Sequence, residues 1–77
     1  MMEVRLSDDK VISISYEEHT RALARVIAEL CEYDQKQEET IFDFLYNICP
    51  KDAYDSIAED LDDRLQEELE MRYGEWL

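Results

Sequence analysis

The stretch from Asp52 to Glu70, DAYDSIAEDLDDRLQEELE, constrains the fold more than any other part of the chain. It holds nine carboxylates, Asp52, Asp55, Glu59, Asp60, Asp62, Asp63, Glu67, Glu68 and Glu70, against one base, Arg64. Tyr54, Ile57, Ala58, Leu61, Leu65 and Leu69 recur through it at three- and four-residue steps, the signature of an amphipathic helix. At about 100° per residue, all the carboxylates but Glu68 fall away from that stripe, within roughly half the circumference. A segment so patterned must bury one side and keep the other in water. The spacing predicts one acidic helix over 51–73, closed by Gly74 as a C-cap.

The rest of the chain must supply something for that stripe to pack against. Seventy-seven residues make one domain, 1–77, with a small core. One glycine and one proline leave little material for tight turns, so long helices are expected. At the N-terminus, Val4 and Leu6 alternate with Glu3 and Arg5, and Val11, Ile12 and Ile14 alternate loosely with Ser13 and Ser15. Ser7, Asp8, Asp9 and Lys10 lie between them, giving a β-hairpin over 2–15. Ser15 and Glu18 then form a capping box that opens a helix over 16–33, with Tyr16, Leu23, Val26, Ile27 and Leu30 on its apolar side. Glu17/Arg21 and Glu18/Arg25 are placed to pair on its wet side.

Residues 34–39 are wholly polar. A bend near Asp34–Lys36 is the preferred reading over one continuous helix, because a single rod through residue 48 would be about 45 Å long. The next helix, 37–48, contains TIFDFLYNI, apolar nearly all round. Such a helix belongs in the middle of a core or carries a self-association surface. Cys49-Pro50 ends it, and Trp76 is expected to fold back over Leu69 or Tyr73. The fold class is therefore α+β, mainly α: an N-terminal hairpin followed by two or three amphipathic helices.

Charge narrows the function classes. The chain has 21 acids and 8 bases, a net charge of −13. Residues 1–33 hold 7 acids and 4 bases, whereas residues 34–77 hold 14 and 4. Such a field repels nucleic acid and anionic membranes and speeds encounter with basic protein surfaces. No secretory leader pattern and no apolar run of about 18 residues is present. Cys31 and Cys49 have no CxxC spacing, and both fall on apolar helix faces. A reduced, cytoplasmic setting is the expectation.

No residue set points to catalysis or a cofactor. The single histidine, His19, borders an apolar face and reads as structural. No phosphate loop, serine elbow or HExxH occurs. Asp60, Asp62 and Asp63 lack the alternation, the glycine and the terminal glutamate of a calcium loop, so no metal site is expected. The expectation is a binding protein without catalytic residues. Its partner-binding residues would be Asp52, Asp55, Glu59, Asp60, Asp62, Asp63, Glu67 and Glu70. On a straight helix of about 27 Å, eight charges approach the linear density of one DNA strand.

In size, charge and hairpin-plus-helices layout, the chain resembles small acidic phage-encoded inhibitors of the anti-CRISPR and anti-restriction type. That resemblance implies an inhibitor that occupies the basic nucleic-acid-binding surface of another protein. Two alternatives stand beside it. One is an acidic immunity protein or antitoxin. The other is a homodimeric or larger adaptor module held together through TIFDFLYNI and the leucine stripe.

Overall fold

A computed structural model describes residues 2–6, 9–32 and 35–74, the side chain of Gln35 excepted. Two strands and four helices follow in order: β1 (Met2–Arg5), β2 (Val11–Ile14), α1 (Tyr16–Leu30), α2 (Gln35–Asn47), α3 (Lys51–Asp60) and α4 (Asp62–Tyr73). The architecture is α+β and mainly helical, with two more helical segments than the smaller of the expected counts and one more than the larger.

The strands pair antiparallel with Met2 opposite Ile14 and Arg5 opposite Val11. The turn closes without glycine. Asp9 N–H donates to Leu6 C=O at 3.1 Å, and Leu6 N–H donates to Lys10 C=O at 2.8 Å. Asp9 takes a left-handed backbone, φ 67°, a conformation that aspartate tolerates better than most residues. Met2, Val4 and Leu6 face the core, while Glu3 and Arg5 face solvent.

α1 begins as its sequence dictates. Ser15 accepts from Glu18 N–H, and Glu18 reaches back to Ser15 N–H. Tyr73 O–H, at the end of α4, donates to the same Glu18 carboxylate at 3.0 Å. These bonds, the one from Ser15 N–H foremost, hold the Glu18 carboxyl below its ordinary range. One exposed side chain thus ties the start of α1 to the end of α4.

α1 is the centre of the molecule. Seven of its residues are buried, including Ala22, Ala24 and Ala28, whose small side chains allow neighbours close on several sides. α2 packs along one flank. Tyr16 meets Tyr46, Arg21 meets Phe42 and Arg25 meets Glu38, an order that makes the two helices antiparallel. α4 packs along another flank through Leu65 and Leu69, and Leu6, Ile14, Leu45 and Tyr54 complete the core.

Several expectations need correction. α2 is not the core helix, since only Leu45 of TIFDFLYNI is buried and Phe44, Tyr46 and Ile48 stay exposed. α1 ends at Leu30 rather than residue 33, with Cys31 as its C-cap and Glu32 left-handed at φ 58°. Leu30 and Cys31 are exposed, not buried on an apolar face. Glu17 pairs with Arg21 at 3.8 Å as its spacing implies, but Arg25 pairs with Glu29 and Glu38 rather than Glu18. Gly74 caps α4 in a right-handed conformation, so its place does not require glycine's left-handed freedom. Asp34, Trp76 and the turn residues Ser7 and Asp8 lie outside the described residues. Among the described residues, no helix is long and apolar enough to cross a membrane.

Candidate functional site

The acidic segment folds as two helices instead of one. Leu61 ends α3 and precedes α4 with φ −105° and ψ 18°, outside the helical basin. The ladder still runs across it, Leu61 N–H to Ile57 C=O at 3.1 Å and Leu65 N–H to Leu61 C=O at 2.8 Å. The cause is local. Aspartate is a poor helix former in mid-helix but a good first-turn residue, where its charge meets the positive end of the peptide dipoles. Asp62 and Asp63 occupy that first turn of α4. A straight run of about 27 Å therefore does not exist. The two pieces are about 15 and 18 Å long at 1.5 Å per residue.

The apolar stripe does what its spacing implies. Tyr54, Leu65 and Leu69 are buried, and Ile57, Ala58 and Leu61 are partly so. This leaves Asp52, Asp55, Glu59 and Asp60 on the outside of α3, and Asp62, Asp63 and Glu67 exposed on α4, with Glu70 half-buried. They do not share one face. Asp62 lines a cleft between α4 and β1. Glu67 lies on another side of α4, lining with Arg64 and Met71 a shallow groove toward Val26 and Glu29 of α1. The surface is an acidic wrap around two short helices.

Few bases interrupt it. Lys51 approaches Asp55 at 3.8 Å. Asp52, Glu59, Asp60, Asp62, Asp63 and Glu67 form no ion pair among the described residues. The arginines are used elsewhere. Arg21 pairs with Glu17 and Glu39 and lies over the Phe42 ring at 4.1 Å, and Arg25 pairs with Glu29 and Glu38. Both arginines of α1 are thereby paired, and the larger negative excess lies on α3 and α4, nine acids against three bases, compared with six against three on α1 and α2. Glu68, the ninth carboxylate, is buried and bonded to Arg72 at 2.6 Å.

A second polar cluster lies in the interior. Tyr54 O–H sits 2.6 Å from His19 Nδ1 and 3.1 Å from Thr20 Oγ1, and Thr20 donates to Tyr16 C=O at 2.7 Å. His19, Thr20 and Tyr54 are all buried. Burial foremost pushes the Tyr54 hydroxyl up to about 12, and burial likewise lowers His19 from its ordinary value. An imidazole that burial keeps toward its neutral form, bonded to a phenol that stays protonated at neutral pH, serves as an interior strut.

Among the described residues, no group of three or more His, Cys, Asp or Glu is arranged to hold a metal ion. Two features are only partly legible in the sequence. One is the exposed apolar patch at the end of α2, formed by Phe44 and by Ile48 just past Asn47. Their helical spacing was visible, but which side of α2 would be covered was not. The other is the open edge of β1 facing α4, which depends on a contact between residues 61 apart, Gln66 and Arg5. Comparison with protein-family models, curated proteins and solved structures finds no match.

Proposed function

We propose that this protein is a non-enzymatic inhibitor that binds the basic nucleic-acid-binding surface of another protein through the acidic wrap of α3 and α4. The observation that supports this reading is segregation: the bases on α1 are paired, while most carboxylates of α3 and α4 face solvent without a counter-ion. Asp55, Glu59, Asp63 and Glu67 are the contacts expected to matter most. Leu65 and Leu69 anchor α4 beneath them. Like charges four apart, such as Asp55/Glu59 and Asp63/Glu67, cost helix stability, so a surface this dense calls for a use beyond solubility. Defence proteins that grip DNA or RNA are the target class in keeping with the resemblance in size and charge.

The test is capture from lysate by the wild type and by the triple variant Asp55→Lys, Glu59→Lys, Asp63→Lys, with washes at stepped salt. The expected result is a nucleic-acid-binding protein that elutes with salt, is displaced by DNA or RNA, and escapes the triple variant. If a variant with an unchanged circular dichroism spectrum captures the same protein equally well, the reading fails.

One observation favours a second reading, self-association through α2. Phe44 on α2 is 47% exposed, and Ile48, one residue past the end of that helix with its N–H donating to Phe44 C=O, is 66% exposed. Sedimentation separates the two. A dimer that persists in high salt and dissociates on Ile48→Asp supports the adaptor reading.

A further inference from the structure

A cleft of about 410 Å³ runs between β1 and α4, and its strand wall is an unfinished ladder. Leu6 N–H donates to Lys10 C=O. In an antiparallel pair, hydrogen-bonded positions alternate with non-bonded ones. Counting back along the register, the bonded pairs are Val4 with Ile12 and Met2 with Ile14. The main-chain groups of Glu3 and Arg5 must then point away from β2. Arg5 C=O does so, and it accepts from Gln66 Nε2 of α4 at 3.2 Å. The outer edge of β1 therefore faces α4 across the cleft. Glu3 N–H, Glu3 C=O and Arg5 N–H have no partner among the described residues. Three main-chain groups at strand spacing, beside a helix, make a site for strand addition.

We propose that this cleft takes an extended basic–apolar peptide segment as a third strand on β1. The side-chain pattern follows from the walls. Val4 faces the core, and Leu65 and Leu69 line the cleft. A residue of the added strand alongside Val4 points the same way and must be apolar. Its neighbours point outward, one beside Glu3 and one beside Arg5, and Asp62 lines the same cleft. The two carboxylates and the −13 of the whole chain outweigh Arg5 and select basic residues there. A second copy of the chain is the poorer occupant because it brings the same charge. The site shares only Asp62 with the acidic wrap and holds whatever the role of that wrap.

The probe is the blocked peptide Arg-Val-Arg-Val-Arg, titrated into the 15N-labelled protein at near-physiological salt. Its control is the same peptide N-methylated at every residue, which keeps the charge and removes the strand donors. Binding is expected to shift the Glu3 and Arg5 amides and protect them from exchange. The methylated peptide is expected to bind about tenfold more weakly or worse, as the loss of main-chain bonds requires. Glu3→Pro removes an N–H that β1–β2 pairing does not use and should give a loss of the same order. If that variant unfolds the hairpin, the two peptides on the wild type decide the matter alone. Equal binding by the methylated peptide, or shifts confined to α3 and the outer side of α4, would overturn the proposal. So would a dimer, seen without peptide, that Glu3→Pro dissociates.

Discussion

Tyr54 shows how much a single side chain arranges. It is 1% exposed and is the largest of the fully buried side chains. Its ring packs against Tyr16, and its hydroxyl joins α3 to α1 through His19 and Thr20. Counting protons orients the chain of bonds. Thr20 spends its hydroxyl proton on Tyr16 C=O, so Tyr54 donates to Thr20 Oγ1 and His19 Nδ1–H donates to Tyr54. Tyr54→Phe would keep the ring and strand that imidazole N–H without an acceptor. Leaving such a buried group unpaired costs about 1–3 kcal/mol, which a urea midpoint would reveal. His19 also gives the fold a pH dependence. Its folded value lies below its unfolded one, because burial disfavours the imidazolium and Asp55 only partly offsets that. The unfolded chain therefore binds the proton first. Stability is complete above the unfolded value, about 6.5, and falls as the pH drops through it toward the lower folded value. Unfolding curves collected downward from neutral pH should show the decline in the wild type and a flatter profile in His19→Gln.

At the level of elements, the hairpin, the start of α1 and the end at Cys49-Pro50 were legible because each rests on neighbours in sequence. Alternation, a capping box and a proline are local signals. The break at Leu61 was not legible, and the ladder explains why. Leu61 still donates to Ile57 and accepts from Leu65, so the stripe from Tyr54 to Leu69 keeps its period across the change of segment. Periodicity reports which residues face inward and is blind to a bend that preserves them. The central place of α1 was hidden for another reason. Large apolar residues are concentrated on α2, whereas centrality rests on Ala22, Ala24 and Ala28, small enough to be surrounded. Of the candidate site, composition revealed the carboxylates, but their distribution around two helices needed the tertiary structure. The break yields its own prediction. Asp63 lies in the first turn of α4, where a negative charge gains about 0.3–1 kcal/mol from the helix end, while Glu67 lies beyond that turn. Reversing either to Lys relieves the same Asp63/Glu67 repulsion, but only Asp63→Lys loses the helix-end term. Asp63→Lys should thus be less stable than Glu67→Lys by about that amount in parallel thermal melts.

Across the whole molecule, the unbalanced charge acts on stability itself. The longest dimension is 30 Å. At about 0.01 M salt the screening length is also about 30 Å, so every carboxylate repels every other. At about 0.15 M it shortens to about 8 Å, and only near neighbours on α3 and α4 still interact. Unfolding separates the charges, so their repulsion weighs mainly on the folded state. Added sodium chloride should therefore raise the melting temperature. A relief of about 1 kcal/mol corresponds to about 4–8 °C in a domain this small. The triple reversal of Asp55, Glu59 and Asp63 offers the matching control, since it takes the net charge from −13 to −7. Its melting temperature should start higher and respond less to salt, because the charges removed are those packed most densely. A wild type whose melting temperature does not change with salt would mean that α3 and α4 carry their charge without strain. Such density would then need no binding role to account for it.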